Sequence, residues 1–258
     1  MIDRQTPVVF LHAYPLSGSI WGAQTAVLAD RPTLAPNFPG FGGRAPAGET
    51  LDDFAEIIVA DMDAAGIERA VIVGLSMGGY VAFRLHARWR ERVAGLVLAD
   101  TRASADTEAA ATRRAQQAKR VRNEGLAWLP DALLPDLLGE TTRQARPELV
   151  DRVRRSILGG DPEGIARALL AMRARPDSTP TLHDIDVPVL AIAGAEDTIT
   201  PVAEADIISE SVPQGALRVI PHAGHLSNLE NPAAFNEAIS EFLRTGGAQP
   251  SASSPTQR

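Results

Sequence analysis

Ser76 stands in A-V-I-V-G-L-S-M-G-G-Y (residues 70–80), where an apolar run passes directly into G-x-S-x-G and then into a helix-compatible segment, Tyr80 to Trp89. That order of strand, turn and helix is what a nucleophile elbow requires. A serine at the tip of so sharp a turn occupies strained backbone, and the turn closes only if the residues two before and two after it lack bulky Cβ branches. Gly74 and Gly78 meet that need, and Gly79 eases the packing of the helix. Ser76 is then held above a strand end and at a helix N-terminus, where free N–H groups and the helix dipole favour developing negative charge. The competing reading is a glycine-rich turn whose serine only caps a helix.

A serine hydroxyl is a weak nucleophile and needs a base within hydrogen-bond reach, itself oriented by a carboxylate. The chain has five histidines. His225 lies in P-H-A-G-H-L-S-N-L-E-N-P, between the apolar run LRVI and the last helical segment. His222 is nearer the strand end and competes with it, but the longer loop lets His225 reach over the strand ends. His86 falls inside a helix and His183 at the edge of a helical segment, so both read as structural or solvated. His12 closes a strand and reads as a hydrogen-bonding group beneath the loop that follows. For the acid, Asp197 in A-G-A-E-D-T-I-T-P follows the run VLAIA in a glycine-rich turn. Glu196 beside it and Asp100 at the end of GLVLA are its rivals.

Acyl transfer also needs two backbone N–H groups aimed at the oxygen that turns negative. Met77, the residue after the serine, supplies one. The loop V-F-L-H-A-Y-P-L-S (9–17) has the form H-G-x-P with Ala13 in the glycine's place, which points to the N–H of Tyr14 for the other. With no cysteine in the chain, a thiolate nucleophile, a disulfide and a Cys-ligated metal are all excluded. The chemistry falls to oxygen and nitrogen side chains, with no metal or organic cofactor called for.

The elements that must position these groups show in the hydrophobic pattern. Short continuous apolar runs, VVFL (8–11), VIVG (71–74), GLVLA (95–99), VLAIA (189–193), LRVI (217–220) and a weaker TLAP (33–36), alternate with segments of helical period. That is the pattern of buried parallel strands joined by crossover helices, and it predicts an α/β fold with a mostly parallel sheet of about six strands. Thr50 followed by Asp53, with Leu51, Phe54, Ile57 and Ile58 on one face, predicts a capped helix. Asn231, Pro232 and the face Phe235, Ile239, Phe242 and Leu243 predict the last one.

Between Thr101 and Val187 the strand rhythm stops and only helical patterns remain, carried by Leu126, Leu129, Leu133, Leu134, Leu137 and Leu138, then Ile165, Leu169, Leu170 and Met172. We read residues 103–183 as a helical cap, or lid, inserted before the last two strands into a core made of 1–102 and 184–245. Residues 246–258, rich in small and polar types, read as a disordered tail. Trp128, Leu129 and Met172 are candidates to line an acyl pocket under the lid, against the plainer reading that each simply packs within it. Residues 103–182 carry 13 Lys and Arg against 11 Asp and Glu, so the lid is at +2 while the rest of the chain is at -9. Solvated helix faces explain this adequately; the sharper reading is a lid that attracts an anionic substrate.

Apolar residues at 45% and charged residues at 22% place the chain among globular proteins of one domain, excluding a disordered or fibrous class. A net charge of -7 argues against a nucleic-acid partner. The run Val8 to Leu11 is far too short for a signal core or membrane span, so no membrane association is expected and the default location is cytoplasmic.

Taken in order, H-A-Y-P-L-S, F-P-G-F-G-G-R, G-L-S-M-G-G-Y, G-A-E-D-T-I-T-P and A-G-H-L-S-N-L-E-N-P resemble successive motifs of the α/β-hydrolase superfamily across residues 8–243. Within it, A-D-T-R after a strand and G-H-L-S-N-L-E-N-P are similar to bacterial 3-oxoadipate enol-lactonases and small carboxylesterases. The resemblance implies an α/β-hydrolase fold and a triad in the chain order Ser76, Asp197, His225. It implies hydrolysis of a small-molecule ester or lactone through an acyl-enzyme. The same triad would also serve carbon–carbon bond hydrolysis, perhydrolysis or a lyase reaction, and a non-catalytic ligand receptor would keep the pocket without turnover. Two features depart from the family. Only Met1 to Pro7 precede the first run, where relatives begin with an antiparallel hairpin, so the sheet edge is expected to be short or covered by a partner chain. Asn37 stands where relatives often carry aspartate, a structural variation. Oligomeric state is not legible.

Overall fold

Every one of the six apolar runs forms a strand in the computed structural model, which describes residues 2–247. They are β1 (Val8–Leu11), β2 (Thr33–Leu34), β3 (Ala70–Leu75), β4 (Val93–Ala99), β5 (Val189–Gly194) and β6 (Gly215–Ile220). All pair in parallel in one sheet of order β2-β1-β3-β4-β5-β6. Strands β1, β3, β4 and β5 are buried along their whole length, which is why their sequences are continuously apolar rather than alternating. The weak run at 33–36 yields only two paired residues, Thr33 opposite Val8 and Leu34 opposite Val9. Pro36 cannot donate to a ladder, consistent with so short an edge. Among the described residues no antiparallel strand precedes β1.

The helices are α1 (Gly22–Val27), α2 (Leu51–Ala64), α3 (Met77–Arg88), α4 (Glu108–Glu124), α5 (Leu129–Leu137), α6 (Glu140–Ala145), α7 (Pro147–Leu158), α8 (Pro162–Arg173), α9 (Val202–Ser211), α10 (Ser227–Glu230) and α11 (Pro232–Thr245). The capping box predicted for α2 is present in both halves: Thr50 Oγ1 accepts from Asp53 N at 3.1 Å, and Asp53 Oδ2 accepts from Thr50 N at 3.0 Å. Helix α11 begins as its sequence requires, with Asn231 Oδ1 accepting from Ala234 N and Pro232 in the first turn. Its apolar face of Phe235, Ile239, Phe242 and Leu243 is buried. Helix α11 ends at Gly246 in the left-handed region, φ 63°. Apart from Gly246 and Gly247, the predicted tail lies outside the described residues.

The strand order reverses between β1, which sends the chain outward to β2, and β3, from which it moves the other way. The connecting helices pack against the sheet. Helices α2 and α3 pack together with α3 across β1, β3 and β4; α9 lies on β5 and β6; α1 and α11 pack on each other. At such a switch point the loops leaving β1 and β3 diverge and open a crevice above the carboxyl ends of the strands. The loops after β1 and β3 are those carrying Tyr14 and Ser76.

Helices α4 to α8 lie between β4 and β5, within the segment read as a cap. Helix α4 pairs with α8, and α5 and α6 with α7. The insertion meets the core at two points of very close backbone approach. A Cβ on Gly164 would overlap Gly40, and one on Gly224 would overlap Gly139. Among the described residues no helix is long and apolar enough to cross a membrane.

Candidate active site

Ser76 links β3 to α3 with φ 54° and ψ −113°, a conformation that L-residues rarely adopt. The local sequence is built to hold it. A Cβ on Gly74 would overlap the Gly78 carbonyl, one on Gly78 the Leu11 carbonyl, and one on Gly79 the side chain of Thr101. The turn is pinned further by Ser76 N donating to Ala99 O at 2.9 Å and by Thr101 Oγ1 donating to Ser76 O at 2.9 Å.

His225 approaches from the loop after β6. Its Nε2 lies 2.7 Å from Ser76 Oγ, and its Nδ1 lies 2.8 Å from Asp197 Oδ2. All three side chains are buried. Asp197 is fixed by its own turn after β5: Oδ1 accepts from Ile199 N at 2.8 Å and Thr200 N at 3.0 Å, and Oδ2 from Thr200 Oγ1 at 2.7 Å. Burial disfavours the charged carboxylate, yet the His225 charge and these hydrogen bonds hold Asp197 below the ordinary aspartate range. Burial likewise opposes a charged imidazole, but Asp197 outweighs it and His225 is shifted upward. With Nδ1–H committed to the carboxylate, Nε2 is free to accept a proton from the serine.

The rivals are otherwise engaged. Glu196 accepts from Thr141 N at 2.9 Å and Thr141 Oγ1 at 2.5 Å, reaching across to the start of α6. Asp100, with φ 46°, is fully buried beneath the His225 loop; Oδ1 accepts from Gly194 N at 2.9 Å and Oδ2 from Ser227 Oγ at 2.6 Å. Burial, then the nearby Asp197 charge, push Asp100 up to about 8. The two acids are thus pushed in opposite directions, Asp100 upward by burial and the Asp197 charge, and Asp197 downward by its contact with His225. Of the other histidines, His222 is exposed, His183 is exposed beside Asp184, and His86 sits on α3 near Asp186.

His12 is committed to the loop above it. Its Nδ1 lies 3.0 Å from Ala13 O and its Nε2 accepts from Phe38 N at 3.0 Å, so both ring nitrogens are used. Burial lowers its pKa to about 4, keeping the ring neutral. Above it, Tyr14 follows β1, and Met77 opens α3, where a first-turn N–H has no acceptor within the helix. Asn37 joins two loops, with Oδ1 accepting from Gly18 N at 2.8 Å and Nδ2 donating to Gly42 O at 3.2 Å.

Glu230, which the sequence reading passed over, holds the His225 loop. Oε1 accepts from Gly224 N at 3.0 Å and Leu226 N at 3.1 Å, the residues flanking His225, and Oε2 accepts from Gly139 N at 2.8 Å. A lone charge in the otherwise uncharged stretch L-S-N-L-E-N-P was the available signal. Of the expected lining residues, Trp128 and Leu129 lie at the start of α5, with Trp128 half-buried and the Arg120 guanidinium 4.0 Å from its ring centroid. Met172 lies near the end of α8, where its sulfur faces Arg114 Nη1 at 3.5 Å.

An activated hydroxyl, a base and a buried carboxylate in hydrogen-bonded series can carry out nucleophilic attack on a carbonyl. The chain is similar to known hydrolases. Residues 8–238 match the family described as alpha/beta hydrolase. The chain is 30% identical over 240 residues to 3-oxoadipate enol-lactonase 2 of Acinetobacter baylyi, covering 92% of this chain and 88% of that one. A thermophilic esterase from Thermogutta terrifontis superposes with a TM-score of 0.91 at 37% identity, covering 94% of this chain and 91% of that one. The enol-lactonase from Burkholderia xenovorans superposes with a TM-score of 0.84 at 29% identity, over 93% and 91% of the two chains.

Proposed function

Because the chain belongs to the alpha/beta hydrolase family, we propose that it is a serine hydrolase of small carboxylic esters or lactones, with Ser76 as nucleophile, His225 as general base and Asp197 as the orienting acid. One observation carries the reading: the unbroken series Ser76 Oγ, His225 Nε2, His225 Nδ1, Asp197 Oδ2, closed at 2.7 and 2.8 Å. His225 takes the serine proton as Oγ attacks the carbonyl carbon, and the N–H groups of Met77 and Tyr14 receive the oxyanion. The tetrahedral intermediate collapses as His225 returns the proton to the departing alcohol oxygen. Water then attacks the acyl-enzyme with His225 again as base, releasing the acid and regenerating Ser76. Residues 103–183 act as the lid that sets specificity, with Trp128, Leu129 and Met172 facing the acyl group. Enol-lactonase and esterase relatives support this substrate class.

The test is a turnover screen over aliphatic esters, aryl esters and lactones with the parent and Ser76→Ala. Hydrolysis by the parent that Ser76→Ala abolishes supports the reading. Failure on every ester and lactone, or turnover that depends on added peroxide, would transfer the triad to another chemistry.

A further inference from the structure

The two threonines of D-T-I-T-P meet different surroundings in the turn after β5: Thr198 is exposed, while Thr200 is buried. The chain gives the Thr200 side chain little freedom. Pro201 follows it, and the residue before a proline is pressed out of the helical region toward extended backbone. Branching at its Cβ restricts χ1 as well. The turn is anchored from the loop after β4, where Arg102 Nη2 donates to Ile199 O and Nη1 lies 3.7 Å from Glu204 Oε1 in the first turn of α9. A fixed segment thus delivers the Thr200 hydroxyl, at little cost in conformational entropy.

That hydroxyl closes a triangle with the acid and the base. Thr200 Oγ1 lies 2.7 Å from Asp197 Oδ2 and 3.2 Å from His225 Nδ1, and those two atoms are 2.8 Å apart. A hydroxyl has one proton to give and a charged carboxylate has none. Were the hydroxyl proton turned to Nδ1, that nitrogen would have to be bare, and its lone pair would meet those of Oδ2 at 2.8 Å. With the hydroxyl proton directed at Oδ2, Nδ1–H donates to the same oxygen, and a lone pair of Oγ1 faces Nδ1–H as a second, weaker acceptor. The triangle therefore fits one tautomer, with Nε2 open toward Ser76.

Thr200 also grips the other oxygen of the acid, its N–H donating to Asp197 Oδ1 at 3.0 Å. An aspartate carboxylate turns easily about its last bond, since that torsion is broad and nearly two-fold. One residue that holds both oxygens from a fixed backbone removes this freedom, through hydrogen bonds strengthened by the carboxylate charge. We propose that Thr200 is a positioning residue of the triad: its N–H and O–H hold the two oxygens of Asp197 so that Oδ2 meets His225 Nδ1–H and Nε2 keeps its lone pair for the Ser76 proton. This rests on the triad of the reading above and goes beyond it, adding a group that acts on the base only through its acid and tautomer.

The experiment measures the rate of Ser76 labelling by a fluorophosphonate, with kcat and KM for p-nitrophenyl acetate, in the parent, Thr200→Val and Thr200→Ser, beside their melting temperatures. Thr200→Val keeps the branched shape and removes the hydroxyl; it should slow labelling and lower kcat by about tenfold, with KM changed by less than about twofold. Thr200→Ser keeps the hydroxyl and should stay within about threefold of the parent. In an Asp197→Asn background Thr200→Val should cost no more than about twofold, because its effect runs through that carboxylate. Labelling of Thr200→Val at the parent rate, whatever its melting temperature, overturns the proposal. So does an equal loss in Thr200→Ser, or a further loss of about tenfold beside Asp197→Asn. If Thr200→Val does not fold, Thr200→Ala is read in the same way. A parent that is labelled but turns over no ester or lactone sinks the hydrolase reading and leaves the labelling rates to decide on Thr200, whereas a parent that is not labelled sinks both.

Discussion

Glu230 joins the His225 loop to the inserted helices through Gly139, its Oε2 accepting the Gly139 N–H at 2.8 Å while Oε1 takes the N–H groups on either side of His225. One buried carboxylate thus sets both the height of the imidazole and the seat of the insertion. In Glu230→Gln one of the two accepting oxygens becomes an NH2 facing N–H donors. We expect a loss of about 2 kcal/mol in stability, read as a lowered melting temperature, with a larger fall in kcat than rise in KM. Unchanged melting and unchanged kcat would show that the loop holds His225 without it.

Asp197 and Asp100 both lie near His225, but only Asp197 reaches Nδ1, at 2.8 Å. Asp197→Asn removes the charge and the fixed tautomer and should lower kcat by about a thousandfold or more. Asp100→Asn should lower it by about tenfold, through a loosened Ser227 contact, since hydrogen bonds of this kind contribute about 1 kcal/mol. Steady-state rates on a single ester distinguish the two, and equal losses would contradict the assignment of the acid.

The pH profile follows from the upward shift of His225. The base must be neutral to act, and the Asp197 carboxylate stabilises its protonated form. The acidic limb of kcat/KM should therefore fall above the ordinary histidine value of 6.5. Residual activity in Asp197→Asn should show that limb moved to lower pH, because the stabilising charge is gone. A limb that stays in place would separate His225 from the rate.

Gly78 is the least replaceable residue of the elbow, since a Cβ there would overlap the Leu11 carbonyl on the neighbouring strand. Backbone cannot retreat as a flexible side chain can. Gly78→Ala should cost about 3 kcal/mol or more, read by denaturant unfolding, and a loss within 0.5 kcal/mol would mean that the turn relaxes freely.

The strands were legible because burial on both faces makes each one a continuous apolar run, and the switch point that opens the crevice follows from their order. Caps such as Thr50 with Asp53 were legible because they act within a few residues of sequence. Ser76 was legible for the same reason, its glycines being neighbours in the chain. The positioning contacts were not. Glu230 meets Gly139 across 91 positions and Asp100 meets Ser227 across 127. Nor does spacing show that Glu196 turns toward Thr141 while Asp197 turns toward His225, because adjacent acids look alike until the turn after β5 is folded.

The most direct measurement is intact mass after treatment with a fluorophosphonate, made on the parent beside Ser76→Ala and His225→Ala. A single adduct on the parent and none on either variant is the predicted result, since in the proposed triad Ser76 Oγ is activated through His225 Nε2. An adduct on Ser76→Ala, or none on the parent at a concentration that labels other serine hydrolases, would contradict the triad.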